Sequence, residues 1–259
     1  MSHAAYMRRT WSEFLSAVQF LTRLPAPSQP YEANSLSQSV KFFPLVGVVV
    51  GSGAALLHLL LVPHLPGLVT AFLVLLYLVL VTGCLHEDGL ADAADGFGGG
   101  TNPEQILLIL RDSRIGSYGG AALMLSLLGR LLLLSSLPIT QVAHYLIAAH
   151  ALCRWTTLPL SYFLPSARAR NAHEVDGQGA RIARLTSTGT LIGGTLFSFA
   201  VAIFLLDSRA IAPILSAIFL TLLTGLYYKN RIGGVTGDCF GATNQLVEIG
   251  IYLCGAWII

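Results

Sequence analysis

Apolar residues along this chain gather in long blocks, separated by tight turns or longer polar stretches. The blocks lie near 43–62, 67–85, 118–137, 142–164, 190–206, 211–228 and 245–259. A helix needs about 20 mostly apolar residues to cross a bilayer. The pattern therefore predicts an all-α, polytopic membrane bundle of about seven transmembrane helices, forming a single membrane-embedded domain over 1–259. The last block is short, and its helix can begin upstream. Pro63 to Pro66, Pro138 to Gln141 and Asp207 to Arg209 read as tight turns. The longer polar connections are 86–117, 165–189 and 229–244. Before the first span, Trp11, Phe14, Leu15, Val18, Phe20 and Leu21 recur at near-helical spacing beside Arg8, Arg9, Glu13 and Arg23. This predicts an amphipathic helix, lying in the membrane interface or packed on the polar connections. Leu24-Pro25-Ala26-Pro27 ends it.

Composition strengthens the membrane assignment. Of 259 residues, 54% are hydrophobic and only 11% charged, against roughly a quarter charged in a soluble domain. A net charge of +2 gives no case for nucleic acid as a partner, leaving membrane lipid as the expected surroundings. Cys84, Cys153, Cys239 and Cys254 are far apart and form no C-x-x-C pair, so neither a thiolate metal site nor a disulfide framework is expected. The N-terminus lacks the apolar core and small-residue site of a cleavable signal. Arg8, Arg9, Arg23 and Lys41 precede the first span, and most other basic residues fall in the long connections. The positive-inside rule then places those connections in the cytoplasm and the C-terminus outside.

Candidate chemistry concentrates in the connections. Glu87 to Gly96 hold Glu87, Asp88, Asp92 and Asp95, four of the chain's 13 acidic residues. Spacings of four and three put Asp88, Asp92 and Asp95 on one face if the stretch is helical. Like charges so placed call for a cation, and hard carboxylate oxygens favour magnesium, calcium or manganese. Next come Arg111-Asp112-Ser113-Arg114-Ile115-Gly116-Ser117. Arginine forks and N–H groups at a helix start suit phosphate oxygens. Asp112 can reach the metal or simply hold an arginine. In the third stretch, Gly233 to Gln245, Asp238 sits at a membrane boundary where an ionised group needs a partner. A metal, Lys229 or Arg231 could supply it. Asn244 and Glu248 lie one helical turn apart and can serve a substrate or satisfy each other.

Arg130 and Arg154 fall inside spans, where pairing with Glu248 or snorkelling would accommodate them. The 165–189 connection, with Arg168, Arg170, His173, Glu174, Asp176, Arg181 and Arg184, is long enough to be a lid, or is a solvated loop. His86 can assist proton transfer beside Glu87. Acidic metal ligands and basic phosphate ligands at one membrane face suit phosphoryl transfer, or hydrolysis with water as nucleophile.

The ordered motifs resemble the cobalamin synthase family, the adenosylcobinamide-GDP ribazoletransferases. They are Phe20-Leu21-Thr22-Arg23-Leu24-Pro25, Phe43-Pro44-Leu45-Val46-Gly47, the run from Leu85 to Gly96, Arg111 to Gly116, and Gly237-Asp238-Cys239-Phe240-Gly241-Ala242. The resemblance runs from near residue 20 to the last span. It implies a multi-pass inner-membrane enzyme that requires Mg²⁺ and joins α-ribazole or its 5′-phosphate to adenosylcobinamide-GDP, releasing GMP. On that footing Asp88, Asp92 and Asp95, with Glu87 as alternative, hold Mg²⁺, and Arg111 and Arg114 contact phosphate, with Asp112 and Asn244 beside the substrate. Asp95 or Asp238 acts as base. Other enzymes of nucleotide-loop assembly are expected partners. The acidic motif is also loosely similar to that of CDP-alcohol phosphotransferases, without their full spacing. An Asp-rich prenyltransferase is the competing enzyme class, but only one motif here is dense. A transporter would place its charges at midplane, whereas these motifs lie at one membrane face.

Overall fold

The computed structural model describes residues 3–27, 38–170 and 186–257. Eleven α-helices account for nearly all of the described chain, and the one strand-like contact among the described residues is an isolated bridge between Ser166 and Val235.

α1 (His3–Leu21) is the expected amphipathic helix. Leu15, Val18 and Leu21 are buried, while Trp11 is exposed. Buried Glu13 holds Arg9 at 2.9 Å and Lys41 at 2.6 Å. Phe20 stacks on Phe43, 5.7 Å between ring centroids. These contacts dock α1 on the start of α2 (Phe43–Leu61). α2 lies against α7 (Val142–Trp155) because two glycines leave room. A Cβ at Gly47 would collide with the His150 carbonyl oxygen, and one at Gly51 would sit 2.7 Å from that of Leu146. The spacing is the small-x-x-x-small pattern by which membrane helices approach closely.

α3 (Gly67–Thr82) ends at Gly83 and Cys84, both in the left-handed region at φ 63° and 61°. α4 (Leu85–Gly99) leaves the turn bent by 85° from α3. α5 (Pro103–Ile109) opens with Asn102, whose side chain accepts from the Gln105 N–H, and with Pro103 in the first turn. α6 (Ser117–Ser136) follows. α7 is enclosed almost completely, and Thr156 joins it without leaving helical geometry to the short α8 (Thr157–Phe163). α9 (Thr188–Leu206) and α10 (Ile211–Ile232) meet at Asp207, φ 49°. Gly233, φ 73°, ends α10. α11 (Gly237–Ala256) starts earlier than the last apolar block because Thr236 caps it, accepting from the Cys239 N–H.

Large apolar side chains point outward from several helices, among them Leu125, Leu128, Leu196, Phe204, Phe219 and Leu222. Such an exterior suits lipid. By length and composition three helical stretches can cross a bilayer: Val40–Leu61, Ser117–Ser136 and Thr188–Ile232. The bent pair α3 and α4 would make a fourth only if it counted as one span. The expected number of seven is therefore not established. α7 is only 14 residues long, and α11 carries Asp238, Asn244, Gln245 and Glu248. Enclosed by neighbours, both can carry polar groups that a lipid-facing helix could not. At 15 residues, α4 rises only about 22 Å, short of the roughly 30 Å hydrocarbon core. Too short to cross alone, it is a packed helix at a place where the apolar pattern predicts a polar connection.

Candidate functional site

α4 carries the acidic motif and packs between α6 and α11 through its small residues. A Cβ at Gly89 would lie 3.1 Å from the Asp238 carbonyl oxygen and 3.2 Å from the Gly241 Cα, so the two helices cross with backbones nearly touching. That crossing brings the start of α11 to the carboxylates of α4.

The four acidic residues of the motif have different surroundings. Glu87 is buried and paired with Arg130 of α6 at 2.8 Å. Arg130, only 1% exposed, also meets Glu248 of α11 at 3.3 Å. His150 lies 3.9 Å from Glu248, and Arg154 donates to His150 Nδ1 at 2.9 Å. This buried chain ties α4, α6, α7 and α11 together. Glu248 therefore meets Arg130, and Asn244 turns instead to a cavity. Asp95 accepts from the backbone N–H groups of Gly116 at 2.7 Å and Gly119 at 2.9 Å. It thus caps α6 from another helix, satisfying donors that the first turn leaves open. Glu87 pairs with Arg130 through one oxygen, and each Asp95 oxygen accepts one backbone N–H, so both carboxylates have packing partners within the fold.

Asp88 and Asp92 stand otherwise. Asp88 lines a cavity of about 320 Å³ that Asp238, Asn244, Arg154 and Arg168 also face. Phe20 and Phe43 supply an apolar side to it. Asp92 stands close by, with its carboxyl pushed up to about 7. Burial is the main cause, followed by the negative charges of Asp88, Asp238 and Asp95, while Arg168 opposes them. Asp238 accepts from the Thr236 hydroxyl at 3.1 Å and lies 3.5 Å from Arg168. Backbone bonds from Ala167 N–H to the Val235 oxygen and from Val235 N–H to the Pro165 oxygen clamp the two segments and set that arginine beside Asp238. The rest of the proposed lid, 171–185, lies outside the described residues, with His173, Glu174, Asp176, Arg181 and Arg184; so does the Arg170 side chain.

Among the described residues no three His, Cys, Asp or Glu side chains already surround one point. The donor set nevertheless fits magnesium, which takes one or two carboxylates and completes its shell with water and substrate phosphate. Asp88 and Asp92, one helical turn apart beside the cavity, are the residues that would take it, with Asp238 close by.

The second motif sits apart from this cavity. Arg111 and Arg114 are exposed, and neither lines it. Arg114 instead clasps Asp112 at 2.5 Å, and that hydrogen bond holds the Asp112 carboxyl down at about 2. The motif reaches α4 through Gly116 and Asp95. The arginines that do line the cavity are Arg154 and Arg168. Sequence reasoning treats the first as structural and the second as one charge among several in a loop. The usable signal for Arg154 is its place inside an apolar block, since intramembrane charge is costly and seldom idle.

The family model described as cobalamin-5-phosphate synthase matches residues 13–256. The chain is 38% identical to a protein of Vibrio cholerae named adenosylcobinamide-GDP ribazoletransferase, covering 96% of this chain and 95% of that one. It is 41% identical to a protein of the same name from Azorhizobium caulinodans, covering 94% of each. A third, from Polaromonas sp., is 37% identical over 93% of this chain and 95% of its own length. No solved structure matches the chain.

Proposed function

The chain belongs to the cobalamin-5-phosphate synthase family, and we infer from this that it acts as an adenosylcobinamide-GDP ribazoletransferase. It would join α-ribazole, or its 5′-phosphate, to the adenosylcobinamide phosphate moiety and release GMP, closing the nucleotide loop of cobalamin. The observation that carries the reading is the cavity where Asp88 and Asp238 face Arg154 and Arg168. Diphosphate chemistry needs both signs of charge: cations for the oxygens and a carboxylate for the proton.

The 5′-hydroxyl oxygen forms a bond to the phosphorus carried by cobinamide, and the bond from that phosphorus to the bridging oxygen breaks. GMP leaves with the bridging oxygen. The acceptor's proton passes to a carboxylate, and Asp238 is suited to take it, standing in the cavity with Thr236 and Arg168 fixing its orientation. Magnesium, when bound, would neutralise diphosphate oxygens and ease the departure of GMP. Asp88 and Asp92 would hold it. Asp95 keeps the start of α6 in place beside them and is not carried forward as the base. Asn244, buried in the cavity wall, presents an amide to the substrate. The cavity volume, about 320 Å³, suits a diphosphate and part of a nucleoside, so the corrin ring would remain at its mouth. The distribution of Lys and Arg favours a site at the cytoplasmic face of the inner membrane.

The test is product analysis by mass spectrometry. Purified protein with adenosylcobinamide-GDP, α-ribazole and Mg²⁺ should yield adenosylcobalamin and GMP in equal amounts, and chelation should stop the reaction. GMP without a joined product would indicate a hydrolase and defeat this reading.

A further inference from the structure

Arg130 and Arg154 are both 1% exposed, yet their surroundings differ. Arg130 is matched by two carboxylates, Glu87 and Glu248. Among the described residues, none of the ion pairs involves Arg154. Its Nη1 donates to His150 Nδ1 at 2.9 Å and to the His150 carbonyl oxygen at 3.3 Å, with Cys153 Sγ at 3.6 Å. Its Nε is buried with no partner among the described residues. A guanidinium carries five N–H donors and keeps its charge. Burying one without a carboxylate against it is costly, and this one forms part of the cavity wall. Arg168, on the same wall, also has a buried Nε with no partner among the described residues.

We propose that Arg154 is the buried anchor for the phosphate oxygens of the bound diphosphate, with Arg168 as its second contact. This rests on the diphosphate-transfer reading above, and it moves the phosphate-binding role from the exposed Arg111 and Arg114 to the cavity wall. His150 holds the anchor in place. Its Nδ1 accepts from Arg154, which leaves the proton on Nε2, facing Glu248. Because the Arg154 side chain is itself buried, a charge-assisted fork from it to phosphate is stronger than one made at the surface. Asp88 and Asp238 on the same cavity exclude a bare anion unless a cation accompanies it, so the cavity selects a metal-bound diphosphate.

The test is calorimetric titration of the purified full chain in detergent with sodium pyrophosphate at fixed Mg²⁺. Arg154→Met should weaken binding at least tenfold, and Arg154→Lys should retain part of it. Arg111→Met should bind like the unmodified protein. Should Arg154→Met fail to fold, Thr157→Glu tests the same point without deleting the arginine. Thr157 lines the cavity three residues on, where a carboxylate can reach Arg154 and occupy it. This variant should lose pyrophosphate binding as well. Unchanged affinity in either folded variant overturns the proposal. In turnover, Arg154→Lys should raise KM for the corrinoid donor tenfold or more and leave KM for α-ribazole unaltered; equal loss for both substrates would indicate a structural role only and overturn it. Pyrophosphate affinity should be equal in nanodiscs of phosphatidylcholine with and without phosphatidylglycerol. Competition by phosphatidylglycerol would assign the cavity to lipid headgroups and also overturn it. If the unmodified protein binds pyrophosphate but makes no cobalamin, the functional reading fails while the titration still decides this one.

Discussion

Asp88 and Asp92 sit one helical turn apart, with Asp238 brought in from 146 positions further along the chain. Burial, and after it the negative charges of Asp88, Asp238 and Asp95, pushes the Asp92 carboxyl up to about 7. On the proposed reading, a proton and a metal ion would therefore compete for the same site. Because the carboxyl is raised, it is mostly protonated below pH 7 and charged above it. Apparent Mg²⁺ affinity should fall by up to about tenfold per pH unit below 7 and level off above it. Asp92→Asn should weaken the ion and flatten this dependence in a binding titration; a slope unchanged in that variant would place the proton elsewhere. Asp92→Ala should abolish turnover while the protein still inserts in membranes.

The buried Glu87–Arg130–Glu248 chain has a different task. Arg130→Met leaves two carboxylates buried and unmatched, and should cost about 3–5 kcal/mol, visible as a lower unfolding temperature in detergent. The double variant Arg130→Met with Glu87→Gln should recover part of the loss. The acidic motif is legible in the sequence as a carboxylate face, but its division of labour is not. Whether Glu87 meets a metal or Arg130, and whether Asp95 meets a metal or two backbone N–H groups, depends on helices more than 20 residues away. No spacing rule along α4 carries that information.

At the scale of elements, close glycine contacts set the frame. Gly47 and Gly51 let α2 approach the α7 backbone, and Gly89 with Gly241 let α4 cross α11. Gly47→Val would drive carbon into the His150 carbonyl group, parting α2 from α7 at a cost of about 1–3 kcal/mol or more. Gly129, with open space where a side-chain carbon would be added, is the control: Gly129→Ala in α6 should stabilise by up to about 1 kcal/mol. Thermal unfolding of both in one detergent checks the contrast. Apolar periodicity locates α2, α3, α6, α9 and α10 to within a few residues. It places α4 in a polar connection because that helix buries alanine and glycine, while its carboxylates make the segment look like a loop. The break in 142–164 at Thr156 is equally hidden, since Thr156 keeps helical dihedrals.

For the whole molecule, lipid-facing helices enclose a polar centre where α4, α7 and α11 converge. Lipid explains the outward Leu and Phe; the cavity explains the inward Arg, Asp and Asn. An all-α membrane protein is legible from block lengths alone. The number of crossings is not, because α7 and α11 are shielded by other helices and need not be apolar all round. The central claim is that Asp88 and Asp238 serve the transfer reaction in one cavity. Its most direct measurement is single-turnover formation of adenosylcobalamin by purified Asp238→Asn, scored against its pyrophosphate affinity. The account predicts that product formation slows by about 10²-fold or more while pyrophosphate binding stays within a few-fold of the unmodified protein. Full-rate product formation in a correctly folded Asp238→Asn would contradict it.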